Sequence, residues 1–155
     1  MLCHGNRAAS HFSCCGDSVN SHHISAHTHC AAFFLAHLSD ILICLHHDEV
    51  VGYCYAHAWK EKAAYKYTLE TTVYLSPGYK GKGIGRQLME RLIEECRVGG
   101  YHALIACITE GNEASCSLHE KLGFRKVSHF EKVGLKFGRW LDVVDYELII
   151  KPNER

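Results

Sequence analysis

Residues 76–88, Ser-Pro-Gly-Tyr-Lys-Gly-Lys-Gly-Ile-Gly-Arg-Gln-Leu, gather four glycines and three cationic side chains into thirteen positions. A helix beginning near Gly83 leaves its first backbone N–H groups without intrahelical partners and puts the positive end of its dipole there. Such an end binds anions. Gly81, Gly83 and Gly85 lack Cβ atoms, so an anionic group can approach the backbone and the turn can use positive φ. Lys80, Lys82 and Arg86 add full charges around the same point. The expected ligand is a phosphate or pyrophosphate. A Walker loop would need Lys where Ile84 stands, and a G-x-G-x-x-G fingerprint would need glycine where Arg86 stands. What fits is Q/R/K-x-x-G-x-G at a strand-to-helix turn, with Lys80, Gly83 and Gly85 in the fixed places.

That turn needs a strand before it and a helix after it, and both are written in the sequence. Residues 67–75, rich in Thr, Val and Tyr, read as a strand. After the glycines, Ile84, Leu88 and Leu92, flanked by Met89, Ile93 and Cys96, form an apolar stripe at helical spacing that Gly99 and Gly100 end. Upstream, two apolar runs around His-His-Asp-Glu predict an antiparallel hairpin over residues 41–59. Downstream, residues 102–109 predict a buried strand and 112–124 a helix stopped by Gly123. Residues 124–133 and 143–150 predict two closing strands. This order predicts an α/β sandwich of helices on a mixed sheet.

The 155 residues correspond to about one domain. The chain is 47% hydrophobic and 22% charged, the balance of an ordinary globule. Lys plus Arg equals Asp plus Glu at 17 each, so no global field points to nucleic acid or membrane. Apolar runs such as residues 30–36 fall far short of the roughly 20 residues of a membrane helix, and no basic segment precedes a secretory core. A cytoplasmic protein is expected. Its nine cysteines include no C-x-x-C pair. Cys54, Cys96 and Cys107 sit in apolar segments, where a thiol behaves as a small hydrophobe.

Composition breaks near residue 40. Up to Ser39 the only charged side chains are Arg7 and Asp17, while His22, His23, His27, His29 and Cys30 crowd together. Residues 1–39 therefore read as an atypical His/Cys-rich leader, poorly ordered, and residues 40–155 as the folded domain. The cluster offers imidazole and thiolate ligands, but without the spacing of a zinc motif.

The Lys80–Gly85 motif resembles the pyrophosphate-binding loop with which the GNAT superfamily of N-acetyltransferases holds acetyl-coenzyme A. Gly-Asn-Glu-Ala-Ser-Cys-Ser-Leu-His-Glu-Lys-Leu-Gly-Phe-Arg-Lys-Val, residues 111–127, resembles that family's second signature. Residues 58–77 and 134–148 are similar to the branch that acetylates phosphinothricin, methionine sulfone and methionine sulfoximine. The likeness covers residues 41–150. It implies a mostly antiparallel mixed central sheet flanked by helices, with an atypical N-terminal lobe here, and transfer of acetyl to the amine of a small amino-acid-like acceptor.

The same resemblance implies roles for particular residues. Glu70 would be the general base, and Val73, Tyr74 and Leu75 would bond the pantetheine arm and polarise the acetyl carbonyl. Lys80, Gly81, Lys82, Gly83, Ile84, Gly85 and Arg86 would hold the pyrophosphate, with Asn112 contacting the coenzyme. His119 stands where many members carry a Tyr that protonates the departing thiolate, although it could equally pack the acceptor pocket. Lys62 and Tyr65, with Glu70, match substrate-pocket positions, and Trp140 matches a pocket wall or a homodimer contact. No metal is expected. Two other readings stand beside this one: a coenzyme A-binding module with little catalysis, and a metal-binding or redox protein built on the N-terminal cluster.

Overall fold

A computed structural model describes residues 41–150 and the backbone of Ala32–Leu35. In chain order the elements are β1 (Ala32–Leu35), β2 (Ile41–His46), β3 (Glu49–Ala58), β4 (Thr68–Leu75), α1 (Ile84–Val98), β5 (Ala103–Thr109), α2 (Glu113–Lys121), β6 (Arg125–Lys136) and β7 (Arg139–Ile149). The strands form one sheet in the order β1-β2-β3-β4-β5-β7-β6. Only β4 and β5 run parallel; the other neighbours are antiparallel. The mixed, mostly antiparallel sheet with flanking helices is the architecture expected from the sequence.

Strand β1 lies inside the stretch read as leader and pairs with β2, so the sheet crosses the boundary expected near residue 40. The cluster of His22, His23, His27, His29 and Cys30 lies outside the described residues. Residues 124–133 and 143–150, read as two separate strands, prove to be parts of one longer hairpin. Its tip is Phe137 and Gly138, both at positive φ (50° and 72°), as a two-residue type I′ turn requires. The β2–β3 hairpin turns in the same way at His47 and Asp48 (φ 50° and 63°).

The apolar stripe of α1 does what its spacing predicts. Leu88, Met89, Leu92, Ile93 and Cys96 are buried against the sheet. Helix α2 joins the same core through Leu118 and Cys116, with the Tyr146 hydroxyl donating to Glu120 Oε1 at 3.0 Å. Both helices thus cover one face. Strand alternation sends Leu69, Thr71, Val73 and Leu75 of β4 toward them and Glu70, Thr72 and Tyr74 to the opposite face. On that opposite face Tyr74 meets Tyr53 of β3, with ring centroids 5.1 Å apart.

Candidate active site

Strand β4 stays paired with β3 from Leu69 to Leu75. It pairs with β5 only through Thr68–Glu70, opposite Ala103–Ile105. Beyond that point β5 continues with β7 as far as Thr109, so the sheet forks between β4 and β5. From Thr71 onward, that edge of β4 has no strand partner among the described residues. Alternate N–H and C=O groups along Val73, Tyr74 and Leu75 are therefore open to a ligand lying in the fork.

Thr71 holds the root of the fork. It is only 4% exposed, and its Oγ1 donates to the Ile105 carbonyl at 3.3 Å. Thr71→Val keeps the shape but leaves that carbonyl without its side-chain donor. Urea unfolding should show a loss of about 1 kcal/mol; an unchanged midpoint would mean that the hydroxyl does not tie the strands.

At the open end of the fork stands the start of α1. A Cβ on Gly85 would lie 3.1 Å from Leu75 Cδ1 and 3.4 Å from Leu118 Cδ2, so Gly85 lets the helix begin directly against the end of β4. The missing Cβ thus serves close packing of helix on strand. Gly83 caps the helix at φ 80°, with Gly81 at φ 74° before it. No side chain caps the first N–H groups and no acid occupies the first turn. This helix end suits an anion. Lys80 and Lys82 are exposed beside it, Lys82 lying 4.7 Å from the Tyr79 ring centroid. Arg86 is exposed too, but its Nε donates to Glu90 Oε1 at 2.7 Å, so part of its charge is already spent within the helix.

Glu70 sits at the root of the fork and faces a cleft of about 410 Å³ on the helix-free side. The floor is Glu70 from β4, Ile105 and Cys107 from β5, and Val143 and Asp145 from β7; Trp59 and Phe130 help wall it. His57, directly across from Glu70 on β3, places Nε2 3.9 Å from Glu70 Oε2. Cys107, expected in the core, is instead exposed and lines this cleft. It occupies the outward position of a strand whose neighbours Ala106 and Ile108 point inward. Partial burial, then the carboxylates of Asp145 and Glu70, push its thiol up to about 11.

Tyr65 does not line the cleft. It supports Trp59 edge-on, with ring centroids 5.3 Å apart, while the Lys60 ammonium lies 3.9 Å from the Trp59 ring centroid. Lys62 is exposed ahead of the short 3₁₀ turn Ala63–Tyr65. Trp140 does not line the cleft; it is 62% exposed and registered with Leu135 on the β6–β7 arm.

Asn112 caps α2, its side chain accepting from the Ser115 N–H at 3.3 Å. One turn later His119 is buried, 3% exposed, with its ring edge-on to Phe124 at 5.0 Å. Its Nδ1 lies 2.8 Å from the Ser115 carbonyl, which can only accept, so Nδ1 carries the proton. Nε2 is buried without a partner among the described residues. Burial also lowers the imidazole below its ordinary pKa of 6.5. With its proton at Nδ1, the neutral imidazole carries its lone pair at the buried Nε2.

A measurable consequence follows from that burial. The unfolded chain protonates this imidazole near pH 6.5, while the folded chain resists until lower pH. Stability is therefore full above the unfolded pKa and is lost as pH falls through the lowered folded value. Urea melts at pH 8 and pH 5 should differ less for His119→Gln than for the natural chain. An equal difference would show that His119 is not held neutral.

The forked sheet, the glycine-rich turn at its mouth and the second helix with its Leu-Gly-Phe end define the class, and the profile of the Acetyltransferase (GNAT) family matches residues 9–124. The chain belongs to this family. It is 41% identical over 108 residues to the L-methionine sulfoximine/L-methionine sulfone acetyltransferase of Salmonella typhimurium, covering 70% of this chain and 63% of that protein. Among solved structures it resembles an N-acetyltransferase from Staphylococcus aureus Mu50, with TM-score 0.70 and 39% identity over 72% of this chain and 67% of the other. It also resembles a phosphinothricin acetyltransferase from Sinorhizobium meliloti in complex with acetyl-CoA, with TM-score 0.68 and 35% identity over 72% of this chain and 60% of the other. The match thus spans less than two thirds of the Salmonella enzyme's own length. No helix among the described residues is long and apolar enough to cross a membrane.

Proposed function

We propose that this chain transfers acetyl from acetyl-coenzyme A to the amine of a small amino-acid-like acceptor of the methionine sulfone, methionine sulfoximine or phosphinothricin type. One observation carries the reading: the edge of β4 that has no strand partner among the described residues and the start of α1, which no side chain caps, flank the same fork whose root presents Glu70 to a cleft. The pyrophosphate would meet the α1 N–H groups with Lys80 and Lys82. The pantetheine arm would lie along Val73–Leu75, whose backbone donors would face the developing oxyanion.

An acceptor ammonium must lose a proton before its nitrogen can attack the thioester carbon. Glu70 takes that proton, the C–N bond forms, and as the C–S bond breaks the attacking nitrogen gives up its second proton, which passes to the departing thiolate. With the His119 proton at Nδ1 directed to the Ser115 carbonyl, water relays that second proton from the nitrogen to the thiolate. Tyr65 acts through Trp59, fixing the wall of the acceptor cleft, and Lys62 stands outside it. The homodimer implied by the resemblance belongs to this proposal, with the exposed Leu135, Phe137 and Trp140 of the β6–β7 arm as its contact. So does a cytoplasmic location.

Titration calorimetry with acetyl-coenzyme A tests the donor half directly. Saturable binding in the micromolar range is expected, as is weaker binding of a coenzyme fragment lacking the pyrophosphate. Equal affinity for that fragment would overturn the assignment of the glycine turn.

A further inference from the structure

The acceptor cleft carries a second carboxylate that the proposed chemistry does not use. Among the described residues lining it, Glu70 and Asp145 are the only charged side chains, and both are acids. Asp145 is held in place: Ser128 Oγ donates to Oδ2 at 2.9 Å, and the Asp145 N–H donates back to Ser128 Oγ at 3.2 Å. Ser128 and the Cys107 thiol are neutral partners that leave the charge unneutralised, and no Lys, Arg or His among the described residues forms an ion pair with it. A half-buried carboxylate beside Phe130 and Val143 is costly to desolvate unless something cationic meets it.

Position separates the two acids. Glu70 lies opposite Ile105, and Asp145 lies opposite Cys107 on the next strand over. Two strand spacings across and two residues along put their Cα atoms roughly 12 Å apart, with both side chains rising into one cleft. An acceptor whose reacting nitrogen sits at Glu70 would therefore present a different part of itself to Asp145. A carboxylate there would be repelled. Lys60, seated on Trp59 at the Glu70 end of the cleft, is better placed to meet an acceptor carboxylate.

We propose that Asp145 is a specificity-determining residue that ranks amino-acid acceptors of the proposed reaction by charge, favouring a second positive charge several bonds from the reacting nitrogen over a neutral side chain and disfavouring an anionic one of the phosphinothricin type. The inference rests on the cleft being the acceptor site of the acetyltransferase proposed above. Lysine and norleucine isolate the effect, because they differ at the side-chain end by the ammonium alone. Mass-spectrometric initial rates of Nα-acetylation should favour lysine by about tenfold or more in kcat/KM, as a charge-assisted contact implies. Asp145→Asn should raise KM for lysine by a similar factor with kcat retained, and should change KM for norleucine far less.

Asp145→Ser, with circular dichroism and melting of both variants, guards against loss of the fold; the same lysine-selective KM rise is expected of it. Alkylation of Cys107, followed by peptide mass mapping, should be faster in either folded variant, since a neighbouring negative charge has been removed. Equal effects on lysine and norleucine, or a natural chain that prefers norleucine, would overturn the proposal while leaving the acetyltransferase standing. Failure to acetylate any amine while binding acetyl-coenzyme A would overturn both.

Discussion

Glu70→Gln should lower kcat/KM for acetyl transfer by about 100- to 10,000-fold, the range general-base catalysis supplies. Gln has the same shape and keeps a hydrogen-bonding oxygen toward the cleft, but it cannot accept the ammonium proton at neutral pH. Acetyl-coenzyme A affinity should stay within about twofold, since the side chain acts on the acceptor and not on the coenzyme. The comparison with His57 makes the prediction sharper. His57 lies 3.9 Å from Glu70 and half exposed, a distance that orients the carboxylate without replacing it. His57→Gln should therefore cost only several-fold. If His57→Gln were as damaging as Glu70→Gln, the imidazole rather than the carboxylate would be the base; if neither mattered, the cleft would not be the reaction site. Initial rates at saturating acetyl-coenzyme A decide among these.

Gly83→Val should weaken acetyl-coenzyme A binding by roughly tenfold or more, because the anion site is made of backbone whose direction the glycine sets. At φ 80°, Gly83 holds a left-handed conformation that costs a residue with a Cβ about 1–2 kcal/mol, and a β-branched one more. Space is not the issue, since a Cβ there would meet only the end of Gln87 at 3.9 Å. The chain would relieve the strain by turning the Gly83–Ile84 peptide, which takes the helix-end N–H groups off the ligand. Asn visits the left-handed region more readily, so Gly83→Asn should retain most of the affinity that Gly83→Val loses. Calorimetric titrations of both variants check this, and equal losses would place the effect in the added bulk rather than in the backbone angle.

Much of this arrangement is legible in the sequence because its signals are local. The α1 stripe from Leu88 to Cys96 keeps helical spacing, the 68–75 run is β-rich, and the glycine turn sits between them. Two standard phosphate loops fail, one at Ile84 and the other at Arg86, which leaves one spacing that fits. Gly99, Gly100 and Gly123 end the helices where expected, and Gly100 and Gly123 do so at positive φ.

What is not legible depends on register. Cys107 has apolar neighbours on both sides, which hides the period-2 alternation that turns it out of the core and into the cleft. Glu70, Cys107 and Asp145 meet only because three strands distant in sequence align side by side. The length of the closing hairpin is hidden for a similar reason. Strand β6 carries extra residues between Lys126 and Ser128 and between Phe130 and Gly134, so no single alternation runs along it. The second bulge is pinned by a bond that crosses the hairpin, the Lys132 N–H donating to Asp142 Oδ1 at 2.7 Å. The burial of His119 and its Ser115 partner are likewise set by the fold and not by any local signal.

The most direct test of acetyl transfer is a mass-spectrometric search for product. The purified chain would be incubated with acetyl-coenzyme A and, separately, with methionine sulfone, methionine sulfoximine, phosphinothricin, norleucine and lysine. Mass detection avoids the thiol reagents that nine cysteines would confuse. An N-acetylated product that appears with the natural chain and is lost with Glu70→Gln is the predicted result. Acetyl-coenzyme A binding without product from any acceptor would contradict it and leave a coenzyme-binding member of the family in place of an acetyltransferase.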